Sequence, residues 1–239
     1  MQPGRRERLN EFWRARQRWQ QWVIGVLLAM LLWPLAMTFV YAVVPPPFSN
    51  VMLTRLFSGN GLHKQWMPLD KMSPWLARAV VSSEDQRFCV HHGVDWVEFA
   101  DAVGDPVSAG EAPTRGASTI SMQTAKNLFL WDGHSFVRKV LELPLSYYMD
   151  FIWTKHRMLE VYLNIAEWAP GVYGAEAAAQ LHFHKSAAQL TRREAALLAA
   201  VLPNPIKRQA GKPSRQVSLV ASRIQIRMSA IDAYLTCIH

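Results

Sequence analysis

Three short stretches hold the residue types that can do chemistry. Residues 80–96 (VVSSEDQRFCVHHGVDW) set adjacent carboxylates, Glu84 and Asp85, ahead of an aromatic, a His91-His92 pair and a glycine. Residues 115–127 (RGASTISMQTAKN) join the hydroxyls of Ser118 and Thr119 to Gln123, Lys126 and Asn127. Residues 138–142 (RKVLE) place Glu142 beside Arg138 and Lys139. Carboxylates suit proton transfer, and amides, hydroxyls and cations suit phosphate and sugar oxygens. Burying such groups without partners is costly. The first stretch is therefore a metal site, an acid/base site, or a helix end with solvated charges.

A metal site is weakly supported. Cys89, His91 and His92 offer soft and imidazole ligands, but the chain has no CxxC and no HExxH, and His182 and His184 are remote in sequence. Nucleophilic acyl transfer is excluded by the lack of GxSxG, Ser-x-x-Lys and KTG. Carboxylate chemistry remains, although a single Glu on a helix is ordinarily a surface residue. The two cysteines, Cys89 and Cys237, are no disulfide framework and only half of a four-cysteine zinc site, which leaves room for one bridge.

The elements that must position these groups are helical. Residues 72–83 read as a helix delivering Glu84 at its C-terminal end. Residues 155–165 carry Met158, Tyr162 and Ile165 on one face, widened by Leu159 and Leu163. Thr191-Arg192-Arg193-Glu194 has capping-box form, and the run behind it stops at Pro203. Residues 101–114, rich in Gly, Pro and small side chains, read as a mobile loop. The expected fold class is mainly α.

The chain is 239 residues long with a net charge of +8, split unevenly. From Trp19 to Thr54 there is no charged residue, and residues 22–44 are almost pure hydrocarbon with Pro34 inside. At about 1.5 Å per residue this stretch covers the roughly 30 Å core of a bilayer. The apolar run is longer than the h-region of a secretory signal, so a retained anchor is expected. Residues 1–18 hold six arginines against Glu7 and Glu11, so the N-terminus is expected in the cytoplasm and the rest outside. The last third is also basic, which suits anionic lipid or phosphate or is simply solvated, and makes nucleic acid an improbable partner outside the membrane. The expected organisation is a basic tail (1–21), a membrane helix (22–44), a Pro-stiffened linker (45–64), a globular domain (65–210) and a basic helical extension (211–239).

Taken in order, the motifs resemble the peptidoglycan glycosyltransferases, glycosyltransferase family 51. Glu84-Asp85-x-x-Phe88-x-x-His91-x-Gly93 is similar to the family's first signature. Gly116-x-Ser118-Thr119-Ile120-x-x-Gln123-x-x-Lys126-Asn127 is similar to the second, and Arg138-Lys139-x-x-Glu142 to the third. Lys155-x-x-x-Leu159-Glu160-x-Tyr162-Leu163-Asn164 is similar to the fourth, and residues 174–205 complete the set. The match covers roughly 65–210, and with one anchor and no acyl-transfer domain the chain is similar to the monofunctional members.

The resemblance implies a lysozyme-like helical domain with a flexible, membrane-associated jaw. It implies polymerisation of lipid II into β-1,4-linked glycan strands, with undecaprenyl diphosphate released, on the periplasmic side of the inner membrane. Glu84 would be the general base and Glu142 the second carboxylate, assisting the pyrophosphate side. Asp85, Ser118, Thr119, Gln123, Lys126, Asn127, Arg138 and Lys139 would bind or orient substrate. His91 and Gly93 would fix a turn, and Glu160 and Asn164 would tie helices together. The resemblance fixes no cofactor and leaves a divalent cation (Mg or Mn) open. Partners would be lipid II, the growing strand and membrane lipids, with penicillin-binding and division proteins left open. Three departures stand out: Met122 replaces the first of two Gln, His134 replaces Arg or Lys, and Pro144 is expected to kink or end a helix. The rival readings are a membrane-anchored lytic transglycosylase or muramidase, which has no pyrophosphate to bind, and a non-catalytic wall-synthesis scaffold.

Overall fold

The computed structural model describes residues 5–104, 118–133, 135–231 and 235–238. It divides into two compact units, Met1–Val43 and Val44–His239. The first is a single helix, α1 (Arg5–Tyr41), that continues through Pro34. Its stretch Arg16–Tyr41 is long and apolar enough to cross a membrane. The Thr38 hydroxyl donates to the Pro34 carbonyl, an added bond where a proline has removed one ladder donor.

The second unit is mostly helical. Its elements are α2 (Asn50–Phe57), α3 (Pro74–Glu84), α4 (Trp96–Gly104), α5 (Ile120–Phe129), α6 (Phe136–Ile152), α7 (Lys155–Ile165), α8 (Ala175–Phe183), α9 (Arg192–Val201) and α10 (Arg215–Met228). Strands β1 (His63–Lys64), β2 (Glu167–Ala169) and β3 (Val172–Tyr173) form a small sheet in the order β1-β3-β2. β1 runs parallel to β3, and β2 antiparallel to it.

Local sequence explains most helix starts. Ser49, Thr119, Ser135, Thr154 and Ser214 each cap a helix by accepting a hydrogen bond from a first-turn N–H. α3 begins with Pro74 in its first turn, and α9 with the capping box Thr191–Glu194. α5 packs against α6 and α7, and α3 against α9 and α10. Leu76, Ile120, Met158, Leu159, Tyr162, Leu163 and Trp168 are fully buried at the centre. Each apolar side chain of this size removed from water contributes about 1.5–3 kcal/mol.

Three sequence expectations are corrected here. Pro144 does not end its helix: α6 runs eight residues beyond it, to Ile152. The cost of a missing N–H is met by anchoring both flanks, with Glu142 and Leu145 buried on either side. Met122, at the position of the first Gln, is fully buried in the core. Asp101–Gly104 belongs to α4 rather than to a loop, while the rest of that expected loop, and His134, lie outside the described residues. The stretch 45–64, read as a linker, holds α2 and β1, and α2 packs on α5. The stretch 211–239 holds α10, which lies on α9 and α3.

Candidate active site

The last residue of α3 is Glu84, half-buried, with Asp85 as the C-cap. Gln123 on α5 donates from Nε2 to Glu84 Oε2 at 3.0 Å, and Ser83 Oγ lies 3.3 Å from Oε1. Gln123 Oε1 in turn accepts from the buried Tyr162 hydroxyl of α7 at 3.0 Å. An acceptor at Oε1 turns the donor NH2 toward Glu84, so α7 fixes the amide that holds the carboxylate. Burial pushes the Glu84 carboxyl above its usual range, and Asp85 adds to this. The Gln123 and Ser83 hydrogen bonds and the Arg208 guanidinium pull the other way.

Asp85 has a different task. Only 5% exposed, it accepts from the Ile120 backbone N–H at 2.9 Å and from His91 Nε2 at 2.9 Å. Thr119 is likewise occupied within the protein. Its Oγ1 accepts from Met122 N–H and donates to the Gly93 carbonyl at 2.6 Å. Gly93 has φ +79°, and a Cβ there would stand 2.7 Å from the Ser146 carbonyl oxygen of α6. Lys155 closes the same turn: its Nζ donates to the His91 carbonyl, pairs with Asp150 at 2.6 Å and lies over the Phe88 ring. The first, second and fourth motifs thus lock one another. Glu160 and Asn164 tie α7 to the segment before α3, through the Leu69 and Met67 N–H groups respectively.

Gln123, the partner of Glu84, lines a cavity of about 350 Å3 together with Lys126, Asn127 and Arg138; Glu84 itself is not among its lining residues. Glu142, 2% exposed, is gripped by Arg138 one turn earlier and by Lys139 Nζ at 3.1 Å. Lys139 Nζ also donates to Ser118 Oγ at 2.8 Å, joining α6 to the start of α5. Among the described residues the Lys126 side chain has no hydrogen-bond or ion-pair partner, and it lines the cavity. Burial lowers its pKa, aided by Arg138 and Arg55 and opposed by Asp132 and Glu167. Lys139 is pushed down to about 8 by burial and then by Arg138 and Lys126. The structure therefore brings Gln123, Lys126, Asn127 and Arg138 to one cavity wall and links Glu84, Ser118, Lys139 and Glu142 to it through them.

Sequence reasoning missed several neighbours of this site. Arg55 on α2 lines the cavity and pairs with Asp132 at 2.7 Å and with Glu167. Tyr162 was read as core, which is true of its ring, but not of its hydroxyl. Arg208, counted only in the basic last third, acts on Glu84 and donates to the Ala200 carbonyl at 2.9 Å. A lone Arg in an apolar stretch, as at Arg55, is the one local signal that was available. The Cys89–Cys237 disulfide ties the first motif to the C-terminal segment, and nothing in the spacing of the two residues marks that pairing.

A half-buried carboxylate, tied through Gln123 to a cavity that presents Lys126 and Arg138, suits a group-transfer enzyme that expels an anion. A family model described as transglycosylase matches residues 50–229. The chain is 51% identical over 217 residues to a biosynthetic peptidoglycan transglycosylase of Agrobacterium fabrum, covering 90% of this chain and 95% of that protein. It is 46% identical over 240 residues to a protein of the same name from Rhizobium meliloti, covering the whole of both. A third of that name, from Rhodospirillum centenum, is 49% identical over 214 residues, covering 88% of this chain and 91% of that protein. The chain belongs to the transglycosylase family. The match runs from the start of α2 to just past α10, and so includes these two helices, which lie outside the expected 65–210 domain.

Proposed function

We propose that this protein is a peptidoglycan glycosyltransferase that polymerises lipid II into glycan strands, with Glu84 as general base. The observation that supports this reading is the chain Tyr162–Gln123–Glu84, which ties a carboxylate of raised pKa to the cavity that Tyr162 and Gln123 line with Lys126 and Arg138. Glu84 takes the proton of the acceptor sugar's 4-hydroxyl. The oxygen attacks the anomeric carbon of the growing strand with inversion, and the carbon–oxygen bond to the pyrophosphate breaks. Lys126, Arg138 and Lys139 hold the departing anion. Glu142 fixes Arg138 and Lys139, and Asp85 and Thr119 position the first motif without touching substrate.

A divalent cation fits poorly on Glu142, since its two oxygens already face Arg138 and Lys139, and among the described residues no three His, Cys, Asp or Glu are grouped to hold a metal ion. No step is routed through one. In this reading α1 is the membrane anchor, with the N-terminus inside and the catalytic unit on the periplasmic face, which the six arginines of residues 1–18 support. Phe136, Val137, Val140 and Leu141 of α6 are exposed apolar side chains suited to the bilayer surface.

The test is incubation of the purified protein with labelled lipid II. Polymer that lysozyme digests is expected, and Glu84→Gln should reduce its rate by about 10²–10⁴-fold without changing helical content. Degradation of added wall without polymerisation would favour the lytic reading. A normal rate in Glu84→Gln would remove Glu84 as the base.

A further inference from the structure

A second cavity, of about 470 Å3, lies on the far side of Pro205 and Ile206, which line both cavities. Its volume is within the range of small-molecule sites. One wall is the C-terminal end of α8, with Leu181, His182 and His184. The opposite wall is the segment that follows α9, with Ile206, Arg208 and Lys212. That segment is seated firmly on α8: Gly211 N–H reaches His182 Nδ1, and a Cβ on Gly211 would stand 2.5 Å from the His182 carbonyl oxygen. Ala210 beside it is fully buried. The groove is therefore part of the folded unit.

Its chemistry is one-sided. Two histidines, an arginine and a lysine line it, and none of its lining residues is acidic. Such a groove selects anions, and its apolar members Leu181, Ile206 and Pro170 suit a ligand with aliphatic parts. Arg208 belongs to this groove, and Pro205 and Ile206 line both it and the cavity of Gln123 and Lys126, so the two cavities adjoin. A ligand entering here from the catalytic cavity is a further portion of the same substrate.

We propose that this groove holds the carboxylate-bearing peptide side chain of the glycan strand, with His184, Arg208 and Lys212 as its anion contacts. The proposal rests on the glycosyltransferase reading, because it takes the ligand to be a sugar polymer carrying short acidic peptides. It makes substrate capture sensitive to peptide charge at a point remote from the sugar chemistry.

The test uses the full-length protein and the double variant His184→Gln/Lys212→Gln, which leaves Arg208 and all residues around Glu84 intact. Polymerisation is measured with lipid II bearing free peptide carboxylates and with the same substrate amidated at those carboxylates. For the free-acid substrate KM should rise about fivefold or more in the variant with kcat within twofold. For the amidated substrate the two proteins should match. An unchanged KM for the free acid, or an equal rise for both substrates, would overturn the proposal.

Binding separates it from the enzymatic reading. A soluble disaccharide-peptide is titrated into protein with labelled histidines, and the His184 ring resonances are followed. They should shift in the parent protein and not respond to the amidated fragment. No shift, or equal competition by inorganic phosphate, would defeat the groove assignment even if the enzyme polymerises. A shift in a protein that makes no polymer would uphold the groove and defeat the glycosyltransferase reading.

Discussion

The Tyr162 hydroxyl donates to Gln123 Oε1, and this fixes which end of the amide meets Glu84. A buried tyrosine therefore governs a carboxylate that it does not touch. Tyr162→Phe should let the amide turn and weaken the Gln123 bond that lowers the Glu84 pKa. The acid limb of kcat/KM should then move to higher pH. A pH–rate profile checks this. A purely structural role would lower Tm and leave the limb in place.

The alkaline limb should come from Lys139. It is cationic below its pKa of about 8 and neutral above it. An anionic leaving group is held by the cation, so affinity falls as pH rises through that value. Glu84 has the opposite sign: its carboxylate form is the base, so activity is lost as pH falls through a pKa raised above the ordinary 4.5. The expected profile of the free enzyme is a bell. Lys139→Arg should extend its alkaline side, because guanidinium stays charged.

Gly93→Ala should be severe for its size. The position requires a positive φ and abuts the Ser146 carbonyl. We expect a loss of about 2–4 kcal/mol together with a drop in activity, as the turn that Thr119 and Lys155 hold is forced off α6. Thermal unfolding and a polymerisation assay on the same sample check both.

Removing the Cys89–Cys237 bridge should cost about 2–4 kcal/mol, or about 5–15 °C in Tm for a unit of this size. Either Cys237→Ser or a reductant should show it. Alkylation of intact cells before lysis should find both thiols blocked in the bridge, as expected outside the cytoplasm. Free thiols would argue against the proposed topology.

Elements with local signals were legible in the sequence. The end of α3 at Glu84, the face of α7 and the capping box of α9 all follow from caps, periodicity and proline. The roles of Glu160 and Asn164 as ties were legible too, though the partner is the segment before α3, in which Leu69 opens a short 3-10 turn, rather than another α-helix. What was not legible depends on distant residues. Pro144 stays helical because packing on both sides outweighs one lost hydrogen bond. Met122 faces inward because α5 is rotated by its contacts with α6 and α7. Arg55 enters the cavity because Asn50 ties α2 to the Leu130 carbonyl at the end of α5. Ser118, Gln123 and Lys139 could be named as site residues, but that Gln123 meets Glu84 while Lys139 joins Ser118 to Glu142 is a property of the folded chain.

The disulfide also sets a clock on biosynthesis. Cys89 lies between Glu84 and His91, and its partner is 148 residues further along the chain. At roughly 5–20 residues per second, translation of that interval takes about 7–30 s. During this time the segment bearing the proposed base has left the ribosome with its thiol unmatched. The staple on the catalytic turn can close only when the last helices have been delivered, so nascent chains released early never acquire it.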